Sequence, residues 1–166
     1  MFENQTLEDV EINAESNYQN LYVGSLFGYA RDETYIRNIK VLNANINVVN
    51  TYEDSNYTYV GLVTGRFFNA MTAEYIYSSG SINVTGHTIY AGGSIGGIGS
   101  SYKLNFLRND ANVHVVGVGD IIMAGVIGWD FTIGINLDVY GLENYGSLTA
   151  TEGYQSLILN ELRNKY

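Results

Sequence analysis

At 166 residues the chain is long enough to bury one sizeable core, and it carries a formal net charge of −9. That balance excludes the clustered Lys and Arg by which proteins hold nucleic-acid phosphates, and it works against an anionic membrane surface. The absence of cysteine removes any disulfide framework or thiolate metal site.

Proline is also absent, while glycine (19) and tyrosine (15) are abundant. Tyr, Ile and Val favour strands, and Gly and Asn favour the turns between them. The opening MFENQTLEDV lacks the basic and apolar regions of a signal peptide. No run of about 18 apolar residues marks a membrane-crossing helix. The chain reads as all-β.

In chain order, FENQTLEDVEINA (2–14) is matched position by position by IRNIKVLNANINV (36–48). Between them stands the pentad GSLFG (24–28), preceded by the apolar LYV. The pentad recurs as GLVTG (61–65), GGSIG (92–96) and AGVIG (124–128), with starts 37, 31 and 32 residues apart, behind TYV, IYA and IIM. Some 17 to 20 residues beyond each pentad's last glycine comes an alternating segment: NINV (45–48), SINV (81–84), NVHV (112–115) and SLTA (147–150). NTYEDSNYT (50–58) is the longest insertion and the best candidate recognition loop. The tail YQSLILNELRNKY (154–166) spaces Tyr154, Leu157, Ile158 and Leu162 as an amphipathic helix would.

A period near 32 residues with strand composition predicts a β-solenoid of four to five coils over 1–152, with the helix of 153–166 capping its last coil. Equivalent residues then stack at the inter-strand spacing of about 4.8 Å. Val23, Val60, Ala91 and Met123 fall in one core column, and Asn13, Asn47, Asn83, His114 and Thr149 in one polar column. Gly24, Gly28, Gly61, Gly65, Gly92, Gly96, Gly125 and Gly128 serve the coil corners, as φ-positive or close-approach positions. Tyr22, Tyr59 and Tyr90 form a further column, either a ladder packing a corner, which is favoured, or an aromatic face for a ligand such as a sugar ring.

The pentads and the segments that follow them resemble the GLUG motif, whose core reads Gly-Gly-Leu-Val-Gly. The resemblance covers about residues 1–150, with GLVTG shifting the apolar pair and AGVIG lacking the first glycine. Repeats of that family occur in large surface or secreted proteins, often adhesin-like, and define no catalytic residues. The resemblance thus implies an extracellular or cell-surface setting and a partner that is protein or glycan.

Catalytic alternatives are weaker. Gly92-x-Ser94-x-Gly96 matches a nucleophile elbow, with Asp110 and His114 following in triad order. No helix pattern follows it, however, and the place of Ser94 is taken by Leu26, Val63 and Val126 in the other pentads. GGSIGGIG is not G-x-G-x-x-G, because the last glycine would fall on Tyr102. His87 and His114 hold unrelated positions and give no zinc site. No cofactor is implied.

Three functions remain: a non-enzymatic module for adhesion or extracellular interaction, a building block stacking end to end on other copies or on adjoining repeats, and a carbohydrate-binding or carbohydrate-processing β-helix. Neither nucleic-acid binding nor membrane insertion is expected.

Overall fold

The computed structural model describes residues 1–52, 57–99, 102–131, 137–151 and 155–156. These residues form strands joined by turns and bends, with no helix among them, wound into a β-solenoid of about four turns. Every strand pairing is parallel.

A wide sheet holds β1 (Phe2–Glu8), β5 (Thr34–Asn50), β8 (Met71–Gly86), β11 (Tyr102–Asn109) and β15 (Leu137–Asn144). It is continued past a corner by β2 (Glu11–Ser16), the later halves of β5 and β8, β12 (Asn112–Gly117) and β16 (Leu148–Ala150). The corner carries a bulge between Val41 and Ala44 and the φ-positive Asn43 and Gly80. A second sheet holds β3 (Leu21–Val23), β6 (Tyr57–Gly61), β9 (Thr88–Gly92), β13 (Ile121–Ala124) and β17 (Gln155–Ser156). A third holds β4 (Phe27–Arg31), β7 (Thr64–Phe68), β10 (Ile95–Gly99) and β14 (Ile127–Phe131). Each turn runs from the second sheet to the third and then to the wide sheet. The first turn starts at β3, and β1–β2 lead into it.

The repeat register is the one the pentads predict. Val23, Val60, Ala91 and Met123 pair in succession and are buried. Phe2 pairs with Ile36 and Ile12 with Ile46, as the match of 2–14 to 36–48 requires. In the wide sheet the inward residues Ile36, Ile39, Ile46, Ile76, Ile82, Leu104 and Leu107 are almost wholly excluded from water. Each contributes about 1.5–3 kcal/mol of hydrophobic stabilisation. No turn could bury its own inner face alone, so the core exists only as a stack.

One sequence expectation is corrected and one alternative is resolved. The amphipathic helix over 153–166 is not seen. Gln155 and Ser156 instead extend the second sheet, pairing with Ile121 and Ile122. The free N–H and C=O groups of the β13 edge accept these two residues as a further strand. The rest of that segment lies outside the described residues. For glycine the structure selects between the two expected roles: none of the pentad glycines has a positive φ, a conformation that falls elsewhere, mostly on Asn and Asp. What the pentads need is close approach. A Cβ on Gly65 would meet Val23 N at 2.5 Å, and one on Gly28 would meet Tyr22 O at 2.7 Å, so second-sheet and third-sheet strands touch backbone to backbone. The bends themselves are laddered, Leu26 N donating to Val63 O (2.9 Å) and Ser94 N to Val126 O (3.0 Å).

Candidate functional site

Within each turn the leading strand of the wide sheet breaks its alternation once. Residues 4, 38, 75, 106 and 141 stand opposite one another, and all are left-handed: Asn4 (φ 56), Asn38 (50), Tyr75 (55), Phe106 (57) and Gly141 (69). The break makes two consecutive residues face outward, giving an in-out-out-in pattern such as Ala73-Glu74-Tyr75-Ile76. A left-handed residue with a Cβ costs about 1–2 kcal/mol, least for Asn. Asn4 and Asn38 suit the position and share a hydrogen bond, Asn38 Nδ2 donating to Asn4 Oδ1 (2.7 Å). Two bulky aromatic residues occupy it in the second and third turns.

Tyr75 and Phe106 are about half exposed, and their rings stack at 5.1 Å with an interplanar angle of 11°. Tyr140, 63% exposed, stands 5.1 Å from Phe106 at 86°. The Arg37 guanidinium lies 5.8 Å from the Tyr75 ring centre. Beside this strip Glu74 gathers donors from the turns on either side. It accepts from Tyr35 Oη (3.3 Å) and Asn105 Nδ2 (3.4 Å) and pairs with Lys103 Nζ (3.4 Å) and Arg37 Nε (3.8 Å). On the other flank Arg108 grips Asp110 through two hydrogen bonds of 2.9 Å, Tyr77 donates to Asp110 (2.9 Å), and Arg108 covers Tyr145 at 4.6 Å. An open groove of about 760 Å³ runs along the first flank, with Tyr35, Thr72, Lys103, Glu33 and Asp138 among its walls.

Burial opposes ionisation of Glu74, but the hydrogen bond and charge of Lys103, helped by Asn105 and Tyr35, hold its carboxyl below the usual range. Hydrogen bonds from Arg108 do the same for Asp110 against its partial burial. A carboxyl whose pKa is lower folded than unfolded adds stability that is complete above the unfolded value of about 4 and is lost as pH falls through the folded one. Melting temperature is therefore expected to drop on acidification below about pH 4, and in Glu74→Gln and Asp110→Asn that acid limb is expected to be shallower. A limb unchanged in both variants would show that these pairs are not coupled to folding.

The tyrosine column lies elsewhere. Tyr22, Tyr59 and Tyr90 stack at 5.3 and 4.9 Å, and Trp129 continues the stack at 4.7 Å from Tyr90. Tyr59 and Tyr90 are 1% and 7% exposed, and the Arg66 guanidinium lies 4.7 Å from the Tyr59 ring centre. Burial pushes the Tyr90 phenol up to about 12 and that of Tyr59 still further, against the opposing charge of Arg66. Rings that cover one another's faces form a seam between the second and third sheets.

The triad-like residues are not brought together. Ser94 is fully buried and bonded to Ser78 Oγ (2.7 Å), Asp110 is held by Arg108 and Tyr77, and His114 Nδ1 meets Thr149 Oγ1 (2.8 Å). His87 Nδ1 meets the neighbouring Thr88 Oγ1 at 3.2 Å. The outer polar column forms in register: Asn47 Nδ2 donates to Asn13 Oδ1 (3.0 Å) and Asn83 Nδ2 to Asn47 Oδ1 (2.9 Å). Of the insertion at 50–58, residues 53–56 lie outside the described residues.

Glu74, Tyr75, Phe106 and Tyr140 were not singled out by the sequence reading. Their signal is the recurrent broken alternation in FENQ, IRNI, AEYI, LNFL and VYGL, which becomes visible once the pentads set the register. Comparison with protein-family models, with curated proteins and with solved structures finds no match to the chain.

Proposed function

We propose that the chain is a non-enzymatic β-solenoid module for adhesion or extracellular interaction, with the outer face of β5, β8, β11 and β15 as its contact surface. The observation that carries this reading is the placement of Tyr75 and Phe106 in left-handed backbone, where the register neighbours are Asn and Gly. Strained positions persist where surrounding structure enforces them, and they gather at binding and catalytic sites. Tyr and Arg together, half exposed on a rigid sheet, have the composition of an interaction hot spot. Glu74, Arg37 and Lys103, like Arg108 and Asp110, are engaged with one another, which suits contact better than proton transfer. The resemblance of the pentads to GLUG repeats supports a surface setting.

The double substitution Tyr75→Asn/Phe106→Asn separates contact from architecture. Asn is the native residue at this position in β1 and in the first turn, so the backbone strain lessens while two ring pairs (Tyr75–Phe106 and Phe106–Tyr140), each worth about 0.5–1.5 kcal/mol, are lost. Melting is expected to stay within a few degrees of the parent, and retention of the labelled chain on a panel of washed bacterial cells to fall at least tenfold. A marked drop in melting temperature with undiminished retention would make the rings structural and sink the reading.

A further inference from the structure

We propose that the groove beside Glu74 binds a neutral glycan, with Tyr140 as the stacking ring; this rests on the reading of that face as the contact surface. Tyr75 and Phe106 cover each other's faces, whereas Tyr140 is turned by 86° from Phe106 and is 63% exposed. Tyr140 is the register partner of Asn105, and Asp138 is that of Lys103, so the open ring adjoins the groove to which Lys103 and Asp138 contribute. An apolar ring with polar groups beside it matches a pyranose, which presents a C–H face and a rim of hydroxyls.

Charge selects among the hydroxyl-rich ligands. The ammonium of Lys103 is already paired with Glu74, while Glu33 and Asp138 leave acceptor oxygens on the groove wall. Carboxylates accept hydrogen bonds from sugar hydroxyls and repel uronates, sulfates and phosphates. The net charge of −9 adds to that repulsion. A peptide strand would need a free sheet edge for its backbone groups; β1 and β15 are outer strands of this sheet, but the groove lies on the face between them, over β5, β8 and β11, which are paired on both sides.

The test is co-sedimentation of the whole 166-residue chain with insoluble neutral polysaccharides (cellulose, β-1,3-glucan, mannan) and with acidic gels (calcium alginate, cross-linked polygalacturonate). Retention on a neutral polymer is expected, with at least tenfold less on the acidic ones. Tyr140→Ala and Asp138→Ala, both on the exposed surface, are each expected to lower retention at least tenfold with unchanged circular dichroism and melting within a few degrees of the parent. Retention only on acidic polymers, or full retention by both variants, overturns the proposal. Absence of retention on every polysaccharide, together with cell retention that survives periodate oxidation, would remove the glycan and leave the interaction module standing. Release of reducing ends from a bound polymer would overturn the non-enzymatic reading itself.

Discussion

Gly61→Ala is expected to cost at least about 4 kcal/mol, the upper end of what single substitutions do, and so to remove much of the roughly 5–15 kcal/mol that holds a domain together. Gly61 ends β6 where the chain turns into the third sheet. A Cβ there would stand 2.5 Å from Thr64 O, 2.6 Å from Gly96 N and 2.6 Å from Ser94 O. All three are backbone atoms, and two belong to the next turn, so no side chain can swing aside. Relief requires the second and third sheets to part in two turns at once, breaking the bend ladder in which Val63 N donates to Ser94 O (2.9 Å). Gly86→Ala is the matched control. Its nearest neighbours would lie at 3.5 and 3.6 Å, ordinary contact distances. That change is expected to stay within about 1 kcal/mol and can stabilise by restricting the unfolded chain. Urea midpoints measure both, and a Gly61→Ala midpoint equal to that of Gly86→Ala would mean that the sheets are not in backbone contact.

The same glycines show how far the fold was legible. Repeat period, register, core column and outer polar column all follow from aligning four pentads, because a solenoid imposes one spacing on every turn. The reason for the glycines was not legible from periodicity. Close approach and positive φ both select Gly, and only coordinates separate them. Positive φ instead fell on Asp9, Asp32, Asn38, Asn43 and Asn69, residues whose short polar side chains tolerate it. For the tyrosine column the sequence favoured packing over an open face, and the stacked, largely buried rings of Tyr59 and Tyr90 agree with the favoured reading. Tyr22, Tyr59 and Tyr90 recur in perfect register, and perfect recurrence is what a stacked, self-covering column requires. The exposed strip recurs imperfectly (Asn, Asn, Tyr, Phe, Gly), and that irregularity at a strained position marks it.

A second strong effect is expected inside the corner of the wide sheet. Val41, Ser78, Asn109 and Asn144 stack in register there. The Asn109 amide is fully buried and fully used: Nδ2 donates to Ala111 O (3.1 Å) and Asn144 Oδ1 (2.9 Å), while Oδ1 accepts from Ser78 Oγ (3.0 Å) and Ala111 N (3.2 Å). Replacing it by Leu, of similar size, strands several buried partners at about 1–3 kcal/mol each. A loss above about 3 kcal/mol is expected, against about 0.5–1.5 kcal/mol for Asn83→Leu, where the lost bond lies in the exposed ladder. Side-chain amides also bear on the second residue of the last two pentads. A Cβ on Gly125 would run into the Asn144 amide, and one on Gly93 into both the Asn109 amide and the Gly125 carbonyl, whereas in the second turn the equivalent positions are Leu62 and the smaller Ser78. Gly93→Leu and Asn109→Ser together transplant the second turn's pair into the third. Each single change is expected to destabilise, and the double mutant to recover only part of their sum, more than about 0.5 kcal/mol, because the contact with the Gly125 carbonyl remains. Additivity within about 0.5 kcal/mol in that cycle would show that the two positions do not share one space.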